Sequence, residues 1–430
     1  MGVLETMLDP IPLPRTVRVR QRFDATRIDD VAAVLTEKLR RSGQLERIKA
    51  GDRVAIAVGS RGVDQIPTLV RVTVAEIKRV GGHPFIVPCM GSHGGATAEG
   101  QAEVLAQLGV TEASVGAPIR SSMDVVKLGE LPNGLPVYAD RIASQEADAI
   151  VVINRVKPHT AFRGKYESGL LKMISIGLGK QKGAEATHQL GFGLMAENVP
   201  AMARVMLAKL PILFGVATVE NAYDKVCRIE VVPAERMFEE EPALLEEAKA
   251  RMPRLHFDPI DVLVIDWVGK NISGDGMDPN ITGRFPTPYA HGGPRVNKMV
   301  VCDLTPQTHG NANGIGAADF GTQRIVDKMD RVATYANGLT STVVAPTKIP
   351  TTLPNDWYAV KAAIKTANIL DYTKVRLVRI KDTLHLGVIE ISESLLDEAR
   401  RHPDVEVLTE PAPMAFDEQG NLVQDWHAWE

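Results

Sequence analysis

The sequence predicts an α/β protein of two domains, each built on a mostly parallel sheet. Two observations carry the class. Short β-branched runs alternate with amphipathic helical stretches along the chain, and that alternation restarts near residue 258. A third sets the domain count: 430 residues exceed the roughly 100–200 residues of one domain. The expected domains are 1–255 and 256–430, with the boundary near 253–260. The active site is expected in the cleft between them, with the second domain closing over the substrate and the C-terminal tail packing on either one.

The elements follow in order. Residues 53–58 (RVAIAV) read as a buried strand. Residues 67–79 read as a helix, with Pro67 near its start and Gly81-Gly82 as its stop. Strand 84–88 comes next, then helix 97–108, for which Thr97 is the N-cap and Gly109 the terminator. Residues 149–154 (AIVVIN) form a third apolar strand, followed by candidates at 212–219 and 229–232. In the second domain, 262–266, 299–304, 375–380 and 386–391 read as strands, and 323–335 and 393–401 as helices. The Pro/Gly-rich connections 282–294 and 346–354 exceed ordinary loop length, which points to function.

Composition removes several classes. Hydrophobic residues at 44% and charged residues at 24% exclude disorder and collagen-like structure. The three cysteines, Cys89, Cys227 and Cys302, lie far apart without a CxxC, so thiolate zinc sites, iron–sulfur clusters and a disulfide framework are not expected. A net charge of −4 without a Lys/Arg run argues against nucleic acid. No apolar run reaches a membrane span, and the N-terminus lacks a hydrophobic signal core. The expected location is cytoplasmic; the sequence leaves the oligomeric state open.

Ligands of open α/β sheets bind beyond the carboxyl ends of strands. There the sequence places Gly59-Ser60-Arg61-Gly62, Gly91-Ser92-His93-Gly94-Gly95 and Asn154-Arg155-Val156-Lys157-Pro158-His159. An arginine fork suits a carboxylate or phosphate, and two histidines at equivalent strand ends suit proton handling near neutral pH. Known cofactor fingerprints fail. Gly59-Ser60-Arg61-Gly62 is not a dinucleotide loop, Leu170-Leu171 stands where a P-loop needs Lys-Ser/Thr, and Ser273–Asp278 lacks calcium-loop spacing. The densest segment is 157–193, which holds His159, Lys172, His188 and five further cationic residues. By itself it also fits a hydrolase or transferase cradling a phosphorylated or nucleotide substrate.

Taken together, Arg61, Gly91-Ser92-His93, Pro158-His159, Ser168-Gly169-Leu170-Leu171-Lys172 and His188, sixteen residues past Lys172, resemble the nickel-pincer lactate racemase family over about residues 50–200. The resemblance implies an isomerase: a racemase or epimerase of a 2-hydroxy acid working by proton-coupled hydride transfer through a 2-keto acid. It implies the nickel-pincer nucleotide (pyridinium-3,5-bisthiocarboxylic acid mononucleotide) bound covalently through Lys172, with Ser168, Gly169 and Asn221 beside it. His188 is then the nickel ligand, His93 and His159 the catalytic bases, and Arg61 and Arg284 the substrate-binding residues. Cofactor biosynthesis enzymes are the implied partners. The chain departs from the family at Ala57-Val58-Gly59-Ser60, which lacks an acidic residue, and at His93-Gly94, where the family has His-Arg. These departures point to a larger or more polar 2-hydroxy acid than lactate, or to a sugar acid.

Overall fold

The computed structural model describes residues 2–60 and 62–426. Strands and helices alternate through both halves, so the α/β class is observed. The chain divides into two compact units, Asp24–Met252 and a unit joining Met1–Phe23 to Pro253–Glu430.

The unit Asp24–Met252 is built on a five-stranded sheet. Its order is His83–Pro88, Arg53–Val58, Ala149–Arg155, Ile212–Glu220, Val226–Pro233. The first four strands are parallel and the last is antiparallel. Arg53–Val58 and Ala149–Arg155 are near-continuous apolar runs because helices cover both faces of a parallel sheet. Helix Ile66–Arg79 covers one face with Ile66, Leu69, Val70, Val74 and Ile77, a spacing that puts all five on one stripe. Lys78 and Arg79 occupy its last turn, where cations favour the helix dipole. A hairpin, Val125–Glu130 with Pro136–Asp140, stands apart from the sheet.

The second unit holds a nine-stranded sheet. Thr351–Leu353, Phe320–Thr322, Val296–Leu304, Ile260–Val268 and Leu377–Ile380 run parallel, and Val388–Ser392 continues the sheet antiparallel. The next strand is Arg15–Gln21, which pairs Thr16 with Ser392 and Arg20 with Val388. This corrects the expected domain 1–255: the first 23 residues belong to the other unit. The alternation in RTVRVRQ buries Thr16, Val17, Val19 and Gln21, and the apolar face it needs is that of the later sheet. The other end of the division, at Met252/Pro253, adjoins the expected 253–260.

The expected helix 323–335 is two helices, Gln323–Lys328 and Arg331–Ser341. Asp330 breaks the run because its side chain accepts from the Ala333 N–H as an N-cap, which holds its own backbone extended. The tail packs on the second unit. Trp426 Nε1 donates to buried Asp266 at 2.8 Å, beside the fully buried Arg379 that pairs with Asp266 and Glu390. Replacing Trp426 by Phe removes one hydrogen bond to a buried carboxylate and should cost about 1–2 kcal/mol of unfolding free energy in urea titrations. No helix among the described residues is long and apolar enough to cross a membrane.

Candidate active site

The carboxyl ends of the first unit's parallel strands present three loops. Strand 53–58 ends at Gly59-Ser60. A Cβ on Gly59 would lie 2.7 Å from Met173 Cε, so this strand end lies against the lysine-bearing segment. Strand 83–88 leads into the His93 loop. Gly91 and Gly94 take φ +61° and +66° there, and a Cβ on Gly94 would sit 2.6 Å from the Gly100 carbonyl carbon. His93 is exposed, and its Nδ1 shares a short hydrogen bond with Ser60 Oγ.

Strand 149–155 supplies the third loop. Lys157 and Ser168 form a two-way backbone bridge, N–H to O at 2.9 and 3.2 Å, which folds the intervening turn back on itself. His159 sits in that turn. The buried Glu167 carboxylate accepts from the His159 N–H at 2.7 Å and from Arg163 at 3.3 Å, and Lys249 faces its other oxygen at 3.2 Å. Asn154, at the strand end, donates from Nδ2 to Gly169 O at 2.8 Å.

From Gly169 the chain enters a short α-helix, Leu170–Lys172, then a π-turn, Met173–Gly177, in which Leu178 N–H reaches Met173 O at 3.0 Å. π-turns of this kind concentrate at functional sites. The α-helix Lys180–His188 follows and carries His188 in its last turn. His159, His188 and Phe192 gather there: ring centroids of His159 and His188 lie 6.1 and 5.4 Å from Phe192, and Phe162 lies 4.4 Å from His159. The His93 loop packs on the same helix, since a Cβ on Gly91 would lie 3.4 Å from Ala184 Cβ.

The two inner histidines differ in tautomer. His188 Nδ1 lies 2.6 Å from Ala184 O, so it carries the proton and Nε2 carries the lone pair. His159 Nδ1 accepts the Ala161 N–H at 3.0 Å, so its proton is on Nε2. Burial, the Lys172 ammonium, His188, Lys157 and Arg163 hold the His159 imidazole well below its ordinary range. Burial, with Lys172 again, lowers His188 although its bond to Ala184 opposes the shift. Both rings are therefore neutral at neutral pH, and Lys172 lies close enough to act on both.

His93, His159, Ser168, Gly169, Lys172 and His188 thus all lie on the strand-end loops of one unit or on the segment packed against them. Arg61 lies outside the described residues. Two expected residues have their polar groups committed elsewhere. Asn221 is buried, donates to Thr26 O, and accepts from the Tyr223 and Lys225 N–H groups, which makes it the former of the turn after strand 212–220. Arg284 donates to Asp319 at 2.9 Å and to the carbonyls of Val296 and Asn297, which spends its fork inside the second unit. The Cys89 thiol is buried and pushed up by burial, as expected of an inert core thiol.

Sequence reasoning passed over several residues. Ser60 holds the His93 ring, and Glu167 holds the His159 turn. Glu241 accepts from Leu171 N–H at 3.0 Å at the head of the lysine helix; nothing in the run Glu239-Glu240-Glu241 marks it. In the second unit, strand 377–380 ends in Asp382-Thr383-Leu384-His385. Asp382 is buried and accepts from the backbone N–H groups of Leu384 and His385 and from His385 Nδ1 at 2.8 Å. An Asp-x-x-His following an apolar strand was a legible signal for this pair.

Residues 11–198 match the family described as the lactate racemase N-terminal domain. No curated protein matches the sequence. Two solved structures are similar in fold. One is a structural-genomics protein from Thermotoga maritima, 14% identical, covering 80% of this chain and 93% of its own, with a TM-score of 0.47. The other is the lactate racemase apoprotein from Thermoanaerobacterium thermosaccharolyticum, 13% identical, covering 86% and 98%, with a TM-score of 0.49. The stretch matched by the lactate racemase N-terminal domain family holds His93, His159, Lys172 and His188.

Proposed function

We propose that the protein is a nickel-pincer nucleotide-dependent racemase or epimerase of a 2-hydroxy acid. The observation that supports it most directly is the opposite tautomers of two histidines beside one lysine. A metal ligand needs a lone pair on the presented nitrogen and a proton on the other, held by a carbonyl; His188 has that arrangement. His159 has the reverse and presents an N–H. Lys172 lies beside both, in cationic surroundings that suit an anionic cofactor. The residues therefore fit the group: Lys172 would hold it covalently, and His188 Nε2 would ligate its nickel.

When bound, the group supplies reversible two-electron chemistry at the substrate α-carbon. The chain's residues handle the proton and the geometry. Held at Nδ1 by Ser60 Oγ, His93 takes the hydroxyl proton on Nε2 as the α-hydrogen leaves with its electron pair, giving a planar 2-keto acid. His159 Nε2–H holds the oxygen that gains carbonyl character, and His93 returns the proton when the α-hydrogen comes back on the other face. This reading gives the two histidines different jobs in place of two equivalent bases, because a neutral imidazole with its proton on Nε2 is a donor there. Arg61 remains the residue of choice for the substrate carboxylate.

The test uses protein co-expressed with the cofactor-making enzymes and incubated with single-enantiomer lactate, or a longer 2-hydroxy acid, in heavy water. The expected result is loss of enantiomeric purity with the α-hydrogen retained. Deuterium at the α-carbon would mean proton abstraction instead and overturn the mechanism. Unmodified Lys172 together with a nucleotide-induced rise in melting temperature would favour a phosphate-handling enzyme.

A further inference from the structure

Lys180 carries two structural costs. Its side chain is fully buried, and its backbone sits at φ +56°, the left-handed region that disfavours side chains with a Cβ. Burying an ammonium is expensive unless hydrogen bonds replace its water. Glycine at this position would relieve both costs, so a lysine here points to a use for the charge.

The contacts show what that use is. Lys180 Nζ donates to Pro88 O, the last residue of strand 83–88, and to Gln101 Oε1 at 2.9 Å, and it faces Asp140 Oδ2 at 3.4 Å. Gln101, also fully buried, passes the link on: its Nε2 donates to Gly91 O at 2.9 Å and to His93 O at 3.3 Å. Asp140 is anchored separately, accepting from Ala143 N–H and donating its own N–H to Leu178 O at 2.6 Å. One ammonium at the head of the His188 helix therefore grips the strand end below His93 and, through Gln101, two carbonyls of the His93 loop.

We propose that Lys180 is a positioning residue for His93, acting through Gln101. Ser60 holds the ring of His93 and Gln101 holds its backbone, so the imidazole is fixed from both ends relative to the helix that carries His188. This rests on His93 being the proton carrier of the proposed reaction. It adds that the carrier's placement depends on a buried charge at a residue that touches no substrate.

The test uses the full-length apoprotein with isotope-labelled histidine, the His93 resonance being assigned by its loss in H93Q. In K180M and Q101M, the His93 titration midpoint should move and its line broaden, while His159 and His188 keep theirs. In cofactor-loaded enzyme assayed with lactate, kcat should fall about tenfold or more with KM little changed, as misplacement of a catalytic group predicts. The double variant should be no worse than the poorer single, since both act on one path. K180G, which relieves the backbone, should lose as much as K180M. An unmoved His93 titration in folded K180M and Q101M overturns the proposal, and so does equal movement of all three histidines, which marks a general scaffold. Should K180M fail to fold, Q101M decides, because it leaves the ammonium and Asp140 in place. If the loaded parent racemises nothing, the reaction assignment fails while the His93 titration still tests the positioning role.

Discussion

Lys172→Ala protein, co-expressed with the cofactor-making enzymes, should show the bare chain mass and background racemase activity, whereas the parent carries a mass increment and nickel. Lys180, the next lysine along the chain, does not take its place. Lys172 ends the short helix that begins at Leu170, and the π-turn after it separates it from Lys180, whose ammonium is buried among Pro88, Gln101 and Asp140. Lys172→Arg should fail equally, since a guanidinium keeps the charge but forms no amide-type bond under these conditions. Intact-mass spectrometry and nickel analysis of the same samples check it. An increment surviving in either variant would place the attachment elsewhere and sink the assignment.

The stability of Glu241→Gln relative to the parent should rise as pH rises from 4.5 to about 7. Burial raises the Glu241 carboxyl from its ordinary 4.5 to about 7, against the pull of the Leu171 and Leu170 N–H groups. In the unfolded chain the proton leaves near 4.5. Between the two values the folded state binds more protons at this carboxyl, so its contribution to stability declines with pH across that window and is flat above it. The full span is worth about 3 kcal/mol. Glutamine keeps the shape without the charge, so the variant should gain on the parent above pH 7. Urea titrations from pH 4.5 to 8 measure both. Gly169→Ala tests the same contact sterically. A Cβ there would lie 2.5 Å from the Glu241 carboxyl carbon, so the carboxylate must leave its notch and strand the Leu171 N–H. The expected cost is about 3 kcal/mol, with loss of lysine loading. A fully stable, fully loaded G169A would show that the notch yields at little cost.

Gly169 shows how a motif glycine acquires its reason only in three dimensions. In sequence it stands beside Ser168 in front of Lys172 and reads as part of a cofactor cradle. In the fold its missing Cβ makes room for a carboxylate from helix Met237–Arg251, about seventy positions later.

Much of the site was legible because its signals are local. Strand ends follow from β-branched runs stopping at glycine, and His93, His159 and Lys172 lie within a few residues of such ends or of the segment they lead into. The caps Thr97 and Asp330 act on N–H groups three residues away, so the chemistry needed to recognise them is inside the window being read. Thr97 was recognised and Asp330 was not, since an apolar spacing continued past it.

The sequence by itself determined the α/β class, the elements around the site, and the histidines and lysine grouped at its strand ends. Tertiary structure alone decided that strand Arg15–Gln21 joins a sheet whose next strand begins at residue 388. It also decided that Arg284 and Asn221 are spent on local partners, that His159 and His188 carry opposite tautomers, and that Lys180 and Glu241 are buried. Periodicity and capping depend on neighbours within one or two turns, which a sequence displays. Strand partnership, tautomer and the fate of a buried charge depend on which groups meet after the chain has closed loops of tens to hundreds of residues, and those meetings exist only in the fold.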